Sequence, residues 1–341
     1  MMARRALLLV GAMAPAAALA QAPRPRFYAT GAKQRTVRFA GRDGASLAGT
    51  LLLPIWSELE RVPGVVLVAG SGPTDRDGNN PLVSERVDLL QQIAELLAMA
   101  GIASLRYDKR GVGASTRRPA GALQEQERFF AWDNFVSDVV AAHTELLRHD
   151  EIRPYATALL GHSEGGLLVL AAAPTIAKNP PHGLVLLATP GRKLSAILLD
   201  QIARGAPSLM TPVEQAIAAV EQAGRVPTDL PRELETMFPP YAGPFLQRLL
   251  TFDPVQALLA SRLPCLLLQG AADRQVVPMA DVQPLIDALG RRDAPGEAII
   301  VPAASHNLKL VASSSEPGLA GPIAPATAAA LTAWLRQALG A

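Results

Sequence analysis

A single cysteine, Cys265, occurs in the 341 residues of this chain, so an intramolecular disulfide is excluded in any redox compartment. It lies in the apolar run from Leu263 to Leu268 and reads as a small buried residue, not a nucleophilic thiol. Charge is also scarce. Asp, Glu, Lys and Arg make up 18% of the chain, the formal net charge is +2, and no Lys/Arg-rich run occurs, which argues against a nucleic-acid partner. Short basic pieces such as Arg24-Pro25-Arg26 and Arg117-Arg118 read as solvated loops. No group of His, Cys and carboxylate residues stands at ligand spacing, so neither a metal nor an organic cofactor is implied. What is plentiful is apolar material, 49% of residues, enough for one large core or two smaller ones.

At the N-terminus Arg4-Arg5 precede an apolar run, Ala6 to Val10, which continues through small residues to Ala18-Leu19-Ala20. A charged start, an apolar stretch and a final Ala-x-Ala are the parts of a secretory leader, and the apolar run is shorter than the ~20 residues of a spanning helix. The expectation is cleavage after Ala20 and export to the periplasm or medium, with no stable membrane anchor left. No cysteine follows that site to carry a lipid. The expected organisation is a leader over residues 1–20, a flexible lead-in over 21–34, a core over 35–190 and 252–341, and an insertion over 191–251.

Thr36 to Phe39 and Ser46 to Leu53 are β-like runs around Gly41-Arg42-Asp43-Gly44, which predicts a hairpin. Short apolar runs then alternate with helical periods. Strands are expected at Val65–Val68, Ile102–Leu105, Ala156–Leu160, Leu184–Leu187, Cys265–Leu268 and Ala298–Val301. Helices are expected at Ser84–Met99, Phe129–Leu147, Glu164–Ala177, Met279–Leu289 and Pro325–Leu339. Such alternation implies an α/β fold, a mostly parallel eight-stranded sheet with helices on both faces and antiparallel strands at one edge. From Gly191 to about Thr251 the pattern offers helical stretches but no strand, punctuated by seven prolines from Pro207 to Pro244. A helical insertion after a core strand is the expected cap over a site at the carboxyl edge of the sheet.

Gly161-His162-Ser163-Glu164-Gly165 fits G-x-S-x-G. The string alone is weak, but it follows an apolar strand and enters a helix, and this strand–turn–helix exposes a serine hydroxyl. A serine needs a positioned base. His143 and His149 fall on or at the end of an amphipathic helix, His162 should diverge from Ser163 in the tight turn, and His182 precedes a strand. His306, just after the last strand, remains. The imidazole needs a carboxylate partner, and Asp273, in the turn after the Cys265 strand, is the choice, with Asp253 and Asp281 as fallbacks. For the oxyanion, the expected donors are the backbone N–H of Glu164 and of either Ser71 or Gly72, in Gly70-Ser71-Gly72-Pro73 after the Val65 strand. Asp75, Arg76 and Asp77 read as a charge network organising that loop.

Gly70-Ser71-Gly72-Pro73-Thr74-Asp75-Arg76-Asp77-Gly78-Asn79, Leu105 to Ser115 (Leu-Arg-Tyr-Asp-Lys-Arg-Gly-Val-Gly-Ala-Ser) and Gly161 to Gly166 together resemble the α/β-hydrolase superfamily, in particular bacterial serine carboxylesterases with the same G-S-G-P-x-D-R-D-G loop. The resemblance runs from about Thr36 to Leu339, with residues 191–251 matching only as a variable cap. It implies Ser163, Asp273 and His306 as a triad, and Asp108 to Gly113 as a structural loop near the site. The expected function is hydrolysis of a small-molecule ester of short to medium acyl chain through an acyl-enzyme. A peptidase or amidase, a thioesterase or lactonase, or a non-catalytic binding protein of the same fold stay open.

Overall fold

The computed structural model describes residues 31–55, 60–313 and 315–341, so the expected leader and nearly all of the lead-in lie outside the described residues. Eight strands form: β1 (Lys33–Ala40), β2 (Ser46–Leu53), β3 (Val62–Val68), β4 (Ala103–Tyr107), β5 (Ile152–His162), β6 (Gly183–Leu187), β7 (Cys265–Gly270) and β8 (Gly296–Val301). They make one sheet in the order β1-β2-β4-β3-β5-β6-β7-β8. The β1–β2 hairpin is antiparallel and β2 runs antiparallel to β4, whereas every pairing from β4 to β8 is parallel.

The continuous apolar runs of the inner strands follow from burial on both faces. In β7, Cys265 and Leu267 enter one hydrophobic core while Leu266 and Leu268 enter the other. The same alternation divides Leu184 and Leu186 of β6 from Val185 and Leu187. Burial pushes the Cys265 thiol up to about 12, which leaves it an inert packing group.

Helix α1 (Leu89–Met99) connects β3 to β4, α2 (Leu123–Phe129) and α3 (Trp132–Leu146) connect β4 to β5, and α4 (Glu164–Ala172) follows β5. Helices α5 (Leu194–Gly205), α6 (Met210–Ala223), α7 (Arg232–Glu235), α8 (Gly243–Thr251) and α9 (Pro254–Ala260) lie between β6 and β7, and α10 (Gln283–Arg291) and α11 (Pro325–Leu339) follow. Helices α1 and α11 cover one face of the sheet, and α3, α4, α9 and α10 cover the other. This is the mostly parallel, eight-stranded α/β architecture that the pattern predicts, and the α/β-hydrolase fold that the resemblance implies.

Several helices are shorter than their periodicity suggests, each for a local reason. The helix expected from Ser84 starts only at Leu89, because Asp88 takes left-handed backbone (φ 49°) while Asn79 Oδ1 accepts the Val87 and Asp88 N–H groups. The helix expected from Phe129 to Leu147 starts only at Trp132 as α3, and an unexpected helix, α2, precedes it and ends at Phe129. Arg110 Nη1 takes the Phe129 carbonyl at 2.9 Å and Asn134 Nδ2 takes that of Arg128 at 2.7 Å, so acceptors that would continue the helix are diverted. Pro174, lacking an N–H, ends α4 in a short 3-10 turn, Ala173–Thr175, before the expected Ala177. Pro284 likewise splits the Met279–Leu289 expectation into a widened turn, Pro278–Val282, and α10.

Residues 191–251 hold α5 to α8 and, among the described residues, no strand. Tyr241 packs on Phe130 with ring centroids 5.0 Å apart, and Phe245 on Trp132 (5.8 Å) and Phe135 (5.0 Å). Arg118 lies over the Tyr241 ring at 4.8 Å. Leu198, Met237 and Phe238 are buried in the core, and Leu199, Met210 and Phe245 pack against it.

Candidate active site

Strand β5 runs into α4 through Ser163, whose backbone has φ 55° and ψ −121°. A side chain at positive φ costs about 1–3 kcal/mol and persists only where the surroundings enforce it. Here the Ser163 N–H donates to the Leu187 carbonyl (2.8 Å) and the Ser163 carbonyl accepts from Gly166 N–H (2.9 Å). The turn also needs its glycines. A Cβ on Gly161 would sit 2.2 Å from the Gly165 carbonyl oxygen, and one on Gly165 would sit 2.4 Å from that of Val68, backbone contacts that cannot yield.

Asp273 follows β7 and His306 follows β8, both at the carboxyl edge of the sheet where β5 delivers Ser163. His306 Nδ1 is 2.8 Å from Asp273 Oδ2. Gln269 Nε2 donates to the same oxygen (2.8 Å), while Asp273 Oδ1 accepts the N–H groups of Gln275 (2.8 Å) and Val276 (3.0 Å). All three residues are buried, with Ser163 3%, Asp273 4% and His306 7% exposed. The fallback carboxylates are engaged elsewhere. Asp253 caps α9 by accepting Gln256 N–H at 3.0 Å, and Asp281 accepts Val277 N–H (2.7 Å) and the Arg192 guanidinium.

The loop after β3 lies against this turn. A Cβ on Gly70 would come within 3.4 Å of Ser163 Cβ. Thr74 Oγ1 donates to the Ser71 carbonyl (2.7 Å) and Gly72 takes φ 70°, which shapes the segment carrying the Ser71 and Gly72 N–H groups. On the opposite side the Glu164 N–H occupies the first position of α4, where no intrahelical acceptor exists. The charge network expected at Asp75, Arg76 and Asp77 is present. Arg76 Nη2 donates to Asp108 Oδ2 (2.6 Å), Arg106 Nε to Asp77 Oδ1 (2.7 Å), and Asp75 Oδ1 accepts the Asp77 and Asn79 N–H groups (both 2.9 Å). Burial, reinforced by Asp77 and Asp108, pushes the Asp75 carboxyl up to about 6 against those two hydrogen bonds. Asp108 also accepts Ala114 N–H (2.8 Å), and a Cβ on Gly113 would overlap its carboxylate, which fixes the loop from Asp108 to Gly113.

Two residues acquire a place at the site that linear reading did not give them. His162 donates from Nε2 to the His306 carbonyl (3.0 Å), and its ring lies 4.8 Å from that of His306. Burial first, and His306 second, hold it down to about 3, so it is a neutral wedge between Gly70 and His306. Lys109, only 1% exposed, donates from Nζ to the Gly70 carbonyl (2.5 Å) and pairs with Glu164 Oε1 (3.2 Å). The weak signal for it was a lysine amid the glycines of a loop already assigned near the site. Among the described residues no group of three or more His, Cys, Asp or Glu is placed to hold a metal ion, and no helix is long and apolar enough to cross a membrane.

Comparison with known proteins fits this geometry. Esterase EstD of Thermotoga maritima is 30% identical over 220 residues, which are 63% of this chain and 47% of that protein, so the chain spans about half the length of the curated relative it matches. Three solved structures are similar at low identity. Est1E from Butyrivibrio proteoclasticus, with ferulic acid bound, has a TM-score of 0.57 and 15% identity and covers 89% of this chain and 100% of its own. The α/β hydrolase GrgF from Penicillium sp. sh18 has a TM-score of 0.57 and 18% identity, over 91% and 100%. Proline iminopeptidase of Mycobacterium smegmatis has a TM-score of 0.55 and 18% identity, over 89% and 98%. These likenesses establish the fold. A family model described as serine aminopeptidase, S33, matches residues 83–309, more than half of the chain and a stretch that includes Ser163, Asp273 and His306. The chain therefore belongs to the serine aminopeptidase S33 family.

Proposed function

We propose that this protein is a serine carboxylesterase acting on small-molecule esters of short to medium acyl chain through an acyl-enzyme, without a cofactor. The observation that carries the reading is the 2.8 Å Asp273–His306 hydrogen bond at the sheet edge where the strained Ser163 turn also ends. In this reading Asp273 holds the His306 proton on Nδ1 and leaves Nε2 free to take the proton of Ser163 Oγ. Oγ attacks the ester carbonyl carbon. The resulting oxyanion is held by the Glu164 N–H and by that of Ser71 or Gly72, each worth about 3 kcal/mol. Collapse breaks the C–O bond to the alcohol, which takes its proton from His306. Water, deprotonated by the same imidazole, then releases the acid and restores Ser163. Helices α5 to α8 act as a cap that bounds the acyl group.

Ester cleavage is favoured by the identity with Esterase EstD. The family description and the likeness to a proline iminopeptidase support a second reading, cleavage of an aminoacyl amide at the same serine. Both are tested by assaying wild type and Ser163→Ala on p-nitrophenyl esters from acetate to palmitate and on aminoacyl p-nitroanilides. The expected result is turnover of the shorter esters that vanishes in the variant. Turnover confined to the anilides would replace the ester reading, and no turnover of either by folded protein would sink both.

A further inference from the structure

The Lys109 ammonium touches both segments from which the two oxyanion donors would come. It bonds the carbonyl of Gly70, immediately before Ser71 and Gly72, and the carboxylate of Glu164, whose own N–H is the other donor. These segments follow different strands, β3 and β5, which pair in parallel as far as Val68 and Gly161 and then part into separate loops. Lys109 itself follows β4, the strand on the far side of β3 from β5, and the Asp108 network anchors its loop. A buried ammonium is costly unless its donors are used, and this one spends one on the Gly70 carbonyl and one on the Glu164 carboxylate. The charges matter as well. Glu164 is 6% exposed beside the place where negative charge develops, and unpaired it would oppose an oxyanion; Lys109 cancels it.

We infer that Lys109 is a positioning residue that sets the separation of the two oxyanion donors and neutralises Glu164, and so acts on the transition state without touching substrate. The inference rests on the proposed esterase reading. The two can fail separately: absence of ester turnover in wild type is a failure of that reading, whereas the comparison of variants with an active wild type tests Lys109 alone.

The experiment is steady-state hydrolysis of p-nitrophenyl butyrate by the full chain, wild type and Lys109→Met, together with inhibition by an alkyl trifluoromethyl ketone. That inhibitor binds serine as a tetrahedral oxyanion and so reports the donors directly. Displacement of donors on an ångström scale predicts a fall in kcat of about 10²-fold and a rise in the ketone inhibition constant by a similar factor. KM is expected to stay within about twofold, since ground-state binding does not use the oxyanion. Lys109→Arg, which keeps a buried cation of similar reach, is expected to recover part of the loss. Should Lys109→Met fail to give a cooperative thermal transition, Lys109→Gln carries the test by the same criteria, because it is shorter and carries no charge for Glu164. A folded Lys109→Met, or Lys109→Gln in its place, with kcat within twofold of wild type overturns the inference, and so does a loss of kcat with unchanged ketone affinity.

Discussion

Asp273 accepts four hydrogen bonds, from His306, Gln269, Gln275 and Val276, and every partner is a donor. An asparagine there must turn its amide N–H groups toward donors or force His306 into the other tautomer, with its proton on Nε2 where the base needs a lone pair. Asp273→Asn should therefore cut kcat on p-nitrophenyl butyrate by about 10⁴-fold with little change in fold; a loss under tenfold would remove Asp273 from the proposed triad. At this scale the sequence was most legible where one residue's chemistry depends on its place in a motif. Ser163, Asp273 and His306 each follow an apolar strand, and parallel strands deliver such residues to one edge. His162 and Lys109 were not legible in the same way, because their roles depend on which backbone carbonyl each side chain meets. No local pattern encodes the meeting of Lys109 with Gly70, 39 residues away, or of His162 with His306, 144 residues away.

Secondary structure was legible in its middle and illegible at its ends. Strand positions followed from apolar runs, but the break between α2 and α3 depends on Arg110, which comes from another loop to take a helix carbonyl. Helix α3 also carries a testable titration. His143 is buried with Nε2 2.9 Å from Thr157 Oγ1, and burial, with His182 as a lesser cause, lowers it from 6.5 to about 4. Above pH 6.5 the imidazole is neutral in both native and unfolded chains. Below that the unfolded chain binds a proton that the native one refuses, so stability falls by about 1.4 kcal/mol per pH unit until the native imidazole also titrates near pH 4. His143→Gln keeps a hydrogen-bonding group for Thr157 but removes this term. Urea unfolding between pH 6.5 and 5 should then show a loss of stability smaller by about 2 kcal/mol than in wild type. Equal slopes for the two proteins would mean that His143 is not held neutral.

Across the whole molecule, two hydrophobic cores sandwich the sheet, and the larger is continuous with helices α5 to α8. Ile197, Val213, Val220, Phe238 and Leu249 belong to the same buried cluster as Leu168, Leu186 and Leu267 of the central layers. The insertion thus shares its interior with the sheet, and near- and far-UV circular dichroism of the chain should be lost in one coincident thermal transition. An earlier, separate melting of helix signal would show that α5 to α8 fold as an independent unit. Topology sets a timing as well. The ring of His306 reaches its place beside His162 only after β8 has joined the sheet, 144 residues downstream. At ordinary rates of translation, about 5–20 residues per second, the growing chain carries Ser163 for roughly 7–30 s before His306 has even been synthesised. On the proposed mechanism the serine has no base during that interval, and a fragment that stops short of the last strand is expected to leave p-nitrophenyl esters uncleaved.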